Sequence, residues 1–132
     1  MKHLAIFQQK EEIEAILKGQ KRMEARFSRE KTLPYGRIQK GDEIYLKESG
    51  GPLVGKVEVD NVLFYEELTP EMLGKLRKEY SQDLGVDERF WSRYSKHRYL
   101  SLIFLKNPER FVGKVRFPKK DRRGWVILKE EK

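Results

Sequence analysis

Gly19-Gln20-Lys21-Arg22-Met23-Glu24-Ala25-Arg26-Phe27-Ser28 changes its hydrophobic rhythm partway along. Just upstream, Ile13, Ile16 and Leu17 recur at i, i+3, i+4, which predicts a helix over Gln9 to Lys18 with Gly19 as its C-terminal stop. From Lys21 the period becomes two. Met23, Ala25 and Phe27 share one face, and Arg22, Glu24, Arg26 and Ser28 share the other. A short helix therefore hands over to a strand, and the polar face of that strand carries the densest chemistry in the chain. Arg22 and Arg26 flank Glu24 there, which predicts a carboxylate bracketed by guanidiniums, oriented by them and lowered in pKa. Lys21, at the junction, can swing its ammonium over the same point. A carboxylate so held can accept hydrogen bonds from the amino group of a base, and the cations can meet an oxyanion or a phosphate. The competing reading is a solvated strand face with surface ion pairs worth about 0–1 kcal/mol each.

Outward from this stretch, His3 to Phe7 reads as a short strand. Pro34-Tyr35-Gly36 and Lys40-Gly41-Asp42 read as turns. Glu43 to Lys47 is a strand, and Ser49-Gly50-Gly51-Pro52 turns it into a long Val-rich strand from Leu53 to Phe64. The alternation slips near Asp60-Asn61, which predicts a bulge. The Gly-rich Ser49-Gly50-Gly51-Pro52 lacks the Lys-Ser/Thr and the following helix of a phosphate loop and reads as a plain turn. Thr69-Pro70-Glu71 starts a helix with an N-cap hydroxyl, a first-turn Pro and an acid against the dipole. Asp87 caps a second helix carrying Phe90, Trp91 and Tyr94. His97 to Lys106 and Phe111 to Phe117 are expected to be separate strands, with a turn at Asp121 to Gly124 and a last strand at Trp125 to Lys129. The predicted class is α+β, a curved, mixed but largely antiparallel sheet forming a small or open barrel with helices on one side.

Composition narrows the chemistry. The chain has 132 residues, one domain's worth, with 38% charged residues and a net charge of +8. It has no Cys and two His, His3 and His97, which excludes disulfides, thiolate zinc sites and a Cys nucleophile. Neither a metal nor an organic cofactor is expected. The longest apolar run, Tyr99 to Leu105, is interrupted by Ser101 and falls far short of a spanning helix, so no membrane association and a cytoplasmic setting are expected. Dense mixed charge without Cys also resembles thermophile composition.

The positive surplus favours a polyanionic partner through counterion release. It concentrates in two groups. Lys18, Lys21, Arg22, Arg26 and Arg29 lie near the N-terminus, and Arg110, Lys114, Arg116, Lys119, Lys120, Arg122, Arg123, Lys129 and Lys132 lie near the C-terminus. If the fold joins them, they make one positive surface. Lys114, Arg116, Arg122 and Arg123 are the expected phosphate contacts, although Arg122 and Arg123 would equally serve to keep a hairpin tip solvated. Of the aromatic residues, Phe90, Trp91 and Tyr94 have the spacing of a core face, while Tyr35, in its Pro-Tyr-Gly turn, is expected at the rim of a cleft. His97 is expected to be a polar edge residue or a phosphate contact.

Gly-x-Lys-x-x-Glu-x-Arg directly after a short amphipathic helix resembles the signature of the ASCH domain (activating signal cointegrator homology), a member of the PUA-like superfamily of small β-barrels. Ile38 to Ile44 resembles the family's Gly-Asp turn into a barrel strand, Val57 to Phe64 its central strand, Leu68 to Glu71 its helix entry, and Arg98 to Ile103 its late strand. The resemblance spans about residues 4 to 106 and does not extend into the tail from Asn107. It implies a barrel with a cleft between sheet and helices, lined by Lys21, Glu24 and Arg26, and a role in binding RNA or modified nucleosides. One branch of the family is an acetylcytidine amidohydrolase that uses a Lys, a Thr on the signature strand and a Glu from the helical segment. Here Glu24 stands where that Thr would be, and a carboxylate is a poor acyl acceptor. It could act as a general base on water with Lys21 polarising the carbonyl, and Glu79 and Asp83 lie where a partner acid would be.

The leading expectation is therefore an RNA- or modified-nucleotide-binding module with Lys21, Glu24, Arg26, Arg22 and Tyr35 in its cleft. The alternatives are a small metal-independent hydrolase (amidohydrolase or ribonuclease) using Lys21 and Glu24 in the same cleft, or a protein-interaction domain linked to translation or transcription. The sequence leaves the oligomeric state open.

Overall fold

The computed structural model describes residues 1–117 and 123–128. The elements, in order, are β1 (Lys2–Phe7), α1 (Lys10–Leu17), β2 (Met23–Ser28), β3 (Glu43–Glu48), β4 (Leu53–Tyr65), α2 (Pro70–Leu84), α3 (Glu88–Arg93), β5 (Tyr99–Val115) and β6 (Trp125–Leu128). All six strands form one sheet in the order β2-β5-β4-β3-β1-β6. Every neighbouring pair is antiparallel except β1 with β3, which run parallel. The sheet curls into a half-barrel, with β2 and β6 as its edges.

Local sequence explains most boundaries. Thr69 accepts a hydrogen bond from the Met72 N–H at 3.2 Å and caps α2, whose first residue is Pro70. The Asp87 carboxylate caps α3 by accepting from the Arg89 and Phe90 N–H groups. The ladder of β4 with β5 shifts register between Val59 and Asn61, at the expected slip. One expectation fails. His97–Lys106 and Phe111–Phe117 are not two strands, because Tyr99–Val115 is continuous. The apparent break at Asn107-Pro108 is absorbed by left-handed backbone at Asn107, φ 52°, and Arg110 remains paired with Gly55. Gly55 itself is required by close packing. A Cβ there would lie 2.6 Å from the Glu109 carbonyl oxygen and 2.7 Å from a Leu17 methyl.

The curled sheet is covered on both sides, so its central strand is apolar on both faces. Inside the curl, Phe7, Ile44, Leu46, Val57, Val59, Ile103 and Trp125 pack with Ile13 and Ile16 of α1. On the outside, Leu100 and Leu102 of β5 and Met23 of β2 pack against Leu73, Leu76, Leu84 and Trp91 of α2 and α3. Strand periodicity then dictates what β2 presents. Met23, Ala25 and Phe27 turn to the helices, so Glu24 and Arg26 must turn into the barrel.

Candidate functional site

Glu24 is buried, 7% exposed, on the concave face of β2. Its Oε2 accepts from Arg26 Nε at 2.9 Å, and its Oε1 lies 3.3 Å from Lys21 Nζ. Lys21 is 5% exposed and donates to the Leu84 carbonyl at the end of α2, 2.7 Å away. The α1–β2 junction makes this possible. Lys21 N–H closes onto the Ala15 carbonyl, and Arg22 N–H onto the Asp83 carbonyl, so the turn is stitched to α1 and to α2. Burial pushes the Glu24 carboxyl up, but the Arg26 guanidinium and the Lys21 ammonium together outweigh it and hold the group below the usual carboxylate range.

Arg26 does more than pair with Glu24. Its Nη2 donates to the Ile6 carbonyl at 3.1 Å and its Nη1 to the Gly124 carbonyl at 3.3 Å. Its guanidinium carbon lies 4.9 Å from the centre of the Phe7 ring and 5.2 Å from that of Trp125. One side chain on the β2 edge thus fastens to β1 and to the entry of β6. The gap in the half-barrel is bridged by a guanidinium where a closed barrel would have a ladder.

A cleft of about 660 Å³ opens beside this network. Ile6 to Gln9 and Glu12 form one wall; Glu24, Ala25, Arg26 and Phe27 the floor; Gly85 to Asp87, Arg89, Phe90, Arg93 and Tyr94 the other wall. Part of the floor is an open strand edge. The Arg22 carbonyl accepts from Leu105 N–H, so even-numbered residues of β2 face β5, and the backbone groups of Ala25 and Phe27 face the cleft. Phe27 stacks on Tyr94, with ring centres 4.5 Å apart and planes 7° apart, and Phe90 stands edge-on to both. Glu12, in the first turn of α1, is 40% exposed and lies 3.8 Å from Lys21 Nζ. Burial and the neighbouring Glu24 charge push its carboxyl up, against Lys21 and Arg26.

Lys21, Glu24 and Arg26 are therefore brought together on a concave wall. The other expected site residues are not. Arg22 is exposed, and the bracket around Glu24 is closed by Lys21 and Arg26, because the chain at Arg22 is held toward α2 rather than over the floor. Tyr35 does not line the cleft; its ring packs against Phe64 and Tyr99, one strand-end away. Of the expected phosphate contacts, Arg116 and Arg123 are exposed and off the cleft, while Arg122 and the Lys114 side chain lie outside the described residues. Lys119, Lys120, Lys129 and Lys132 lie outside them too. Among the described residues of the two basic groups, Lys21 and Arg26 are turned inward, and Arg110 is held by both oxygens of Glu14 at 2.9 and 2.6 Å. His97 packs its ring edge-on to Phe27 and Tyr94, with Nδ1 buried and unpartnered. Neither Glu79 nor Asp83 lines the cleft. Trp91 is core as expected, Phe90 packs against the core and also lines the cleft, and Tyr94 lines the cleft, stacked on Phe27.

Sequence reading missed Glu12, Arg89 and Arg93. The available signal was positional. Arg89 and Arg93 are i, i+4 on a helix whose apolar residues face elsewhere, which puts both cations on one open side. Among the described residues no cluster of His, Asp and Glu is placed to hold a metal ion, and no helix is long and apolar enough to cross a membrane.

Comparison with known proteins agrees with this architecture. The ASCH domain model matches residues 7–111. A crystal structure of ASCH from Zymomonas mobilis superposes with a TM-score of 0.74 at 13% identity, over 97% of this chain and 87% of that one. A hypothetical protein designated PH0355 gives a TM-score of 0.56 at 25% identity, over 82% and 99%. The N-terminal domain of Staphylothermus marinus McrB gives 0.50 at 13% identity, over 87% and 76%. No curated protein sequence matches the chain. With the family model spanning most of its length, and a half-barrel whose signature strand turns Glu24 and Arg26 into the cleft, the chain belongs to the ASCH domain family.

Proposed function

We propose that this protein binds RNA or a modified nucleotide in the cleft between β2 and α3. One observation carries the reading: a cleft of nucleotide size joins a floor with an open strand edge and stacked aromatics to a wall bearing Arg89 and Arg93. Cleft-like ligand sites commonly measure about 300–1,000 Å³. The two arginines sit where a phosphate entering with its base inward would meet them, and the backbone groups of Ala25 and Phe27 can pair with a base edge. Lys21 and Arg26 are the frame of this site. Their N–H groups are committed to Glu24 and to the carbonyls of Leu84, Ile6 and Gly124, so they fix the floor's shape and charge.

Fluorescence anisotropy with a single-stranded RNA octamer tests this. Binding should weaken steeply with salt, with a log–log slope of about −0.7 per phosphate neutralised. Arg89→Ala and Arg93→Ala should each weaken binding and flatten that slope by about one such step. A salt-independent profile, or a double variant that binds like the wild type, would refute the assignment. A hydrolytic role would need Glu24 as base, and a carboxylate held below its usual range between two cations is a weak one. Turnover of an acetylated cytidine, lost in Lys21→Ala and Glu24→Ala alike, would reinstate that alternative. An interaction domain would instead yield a protein partner from nuclease-treated lysate and no RNA affinity.

A further inference from the structure

We propose that the cleft selects a guanine base, read on its Watson–Crick edge by the carboxylate of Glu12. The proposal rests on the nucleotide-binding reading above and goes on to name the base.

Most polar groups in the cleft are already engaged. Arg26 donates to Glu24, Ile6 and Gly124, and Lys21 donates to Leu84 and faces Glu24. Both oxygens of Glu24 are engaged by those two cations. Glu12 is different. Its Oε1 is held loosely by Lys21 Nζ in an ion pair at 3.8 Å, longer than a good hydrogen bond, and its Oε2 is turned away from that contact. It lines the cleft and is 40% exposed there. It is also well anchored. It sits in the first turn of α1, one residue before Ile13, and Ile13 and Ile16 are buried in the barrel core.

A planar carboxylate held only by one long ion pair keeps acceptor lone pairs on both oxygens, and such a group is complementary to two parallel N–H groups in one plane. Among the common bases, guanine offers that pair through N1–H and its 2-amino group. Adenine and cytosine each offer an amino group beside a ring nitrogen whose lone pair would face the second oxygen. Uracil offers one N–H between two carbonyls, which repel a carboxylate. Gln8 and Gln9 belong to the same wall, where an amide can donate to guanine O6, and across the cleft stand Arg93 and Arg89, the latter paired with Asp87 at a long 3.6 Å, to meet the phosphate.

The test uses the whole protein and a single-stranded RNA octamer whose central base is guanine, inosine, adenine, cytosine or uracil. Inosine keeps N1–H and lacks the 2-amino group. The guanine probe should bind about tenfold more tightly than the inosine or uracil probe, the usual size of a bidentate discrimination. Glu12→Gln replaces one acceptor oxygen with a donor and should bring the probes to within about twofold of one another, as expected when a bidentate pair is lost. Glu12→Asp, which keeps the carboxylate on a shorter stem, should retain part of the preference; circular dichroism reports that both variants fold. Equal affinity for guanine and inosine probes in the wild type, or an unchanged preference in Glu12→Gln, overturns the base assignment and leaves the nucleotide-binding reading standing. Failure to bind any probe overturns that underlying reading and the assignment with it.

Discussion

Two buried polar networks meet at Trp125, and they are built for opposite ends. On one side of the indole lies the Arg26 guanidinium with Glu24 and Lys21. On the other, Trp125 Nε1–H donates to His3 Nδ1 at 3.0 Å, and His3 Nε2–H donates to Asp42 at 2.8 Å. Asp42 also accepts from the Gln39 N–H and pairs with the N-terminal ammonium. The His3 network lies outside the cleft, and its polar atoms answer one another; it ties β1, β6 and the 39–42 turn together. The Glu24 network abuts the cleft and is flanked by Glu12, which it holds only through a long ion pair with Lys21 at 3.8 Å. A buried charge cluster alone therefore does not mark a site.

The largest effect is expected at the centre of the Glu24 network. Glu24→Ala leaves the Lys21 and Arg26 charges buried without their carboxylate, and should cost roughly 3–5 kcal/mol in urea unfolding. A loss under 1 kcal/mol would mean that the network is solvated and that the cleft floor is not preorganised. Trp125→Phe should cost about 1–3 kcal/mol, because His3 Nδ1 then has no donor in a buried place.

pH separates the networks further. Burial holds His3 below its ordinary value of 6.5, and Asp42, although burial pushes its carboxyl up, is held below 3.8 by His3, the Gln39 N–H and the N-terminal ammonium. Both groups are lowered in the fold, so their stabilisation is whole above the unfolded values. It drains away as pH falls, first below 6.5 toward the folded value of His3, then below 3.8 for Asp42. Glu12 has the opposite sign: its raised carboxyl favours the fold in acid and loses that contribution as pH rises above 4.5. Denaturant midpoints from pH 8 to 5 should therefore fall with acid in the wild type, and fall less in His3→Gln. The smallest stability effect belongs to Arg89→Ala and Arg93→Ala, which should leave the unfolding midpoint unchanged while weakening RNA binding; a shift in midpoint would make them structural residues.

Periodicity and capping made most of the strands, the helices and the shared face of Glu24 and Arg26 readable from residues alone, while the reading of that face as a cleft wall came from the ASCH resemblance. These are short-range constraints, in which the spacing of Ile13, Ile16 and Leu17, the switch at Lys21 and the caps at Thr69 and Asp87 each act within a few positions. The ASCH resemblance was legible for the same reason, since its signature is one helix–strand junction. The tertiary structure decided which charges are spent and which are open. Arg22 and Arg26 are equivalent on the strand pattern, yet only Arg26 meets Ile6, Gly124 and Trp125, which arrive from the far edge of the curled sheet. His3 and Asp42 looked like a strand residue and a turn residue until parallel pairing of β1 with β3 brought them together. Glu12, Arg89 and Arg93 become neighbours of one cleft through the packing of α1 and α3 around β2. Such meetings join residues tens of positions apart, and a pattern read along the chain carries no term for them.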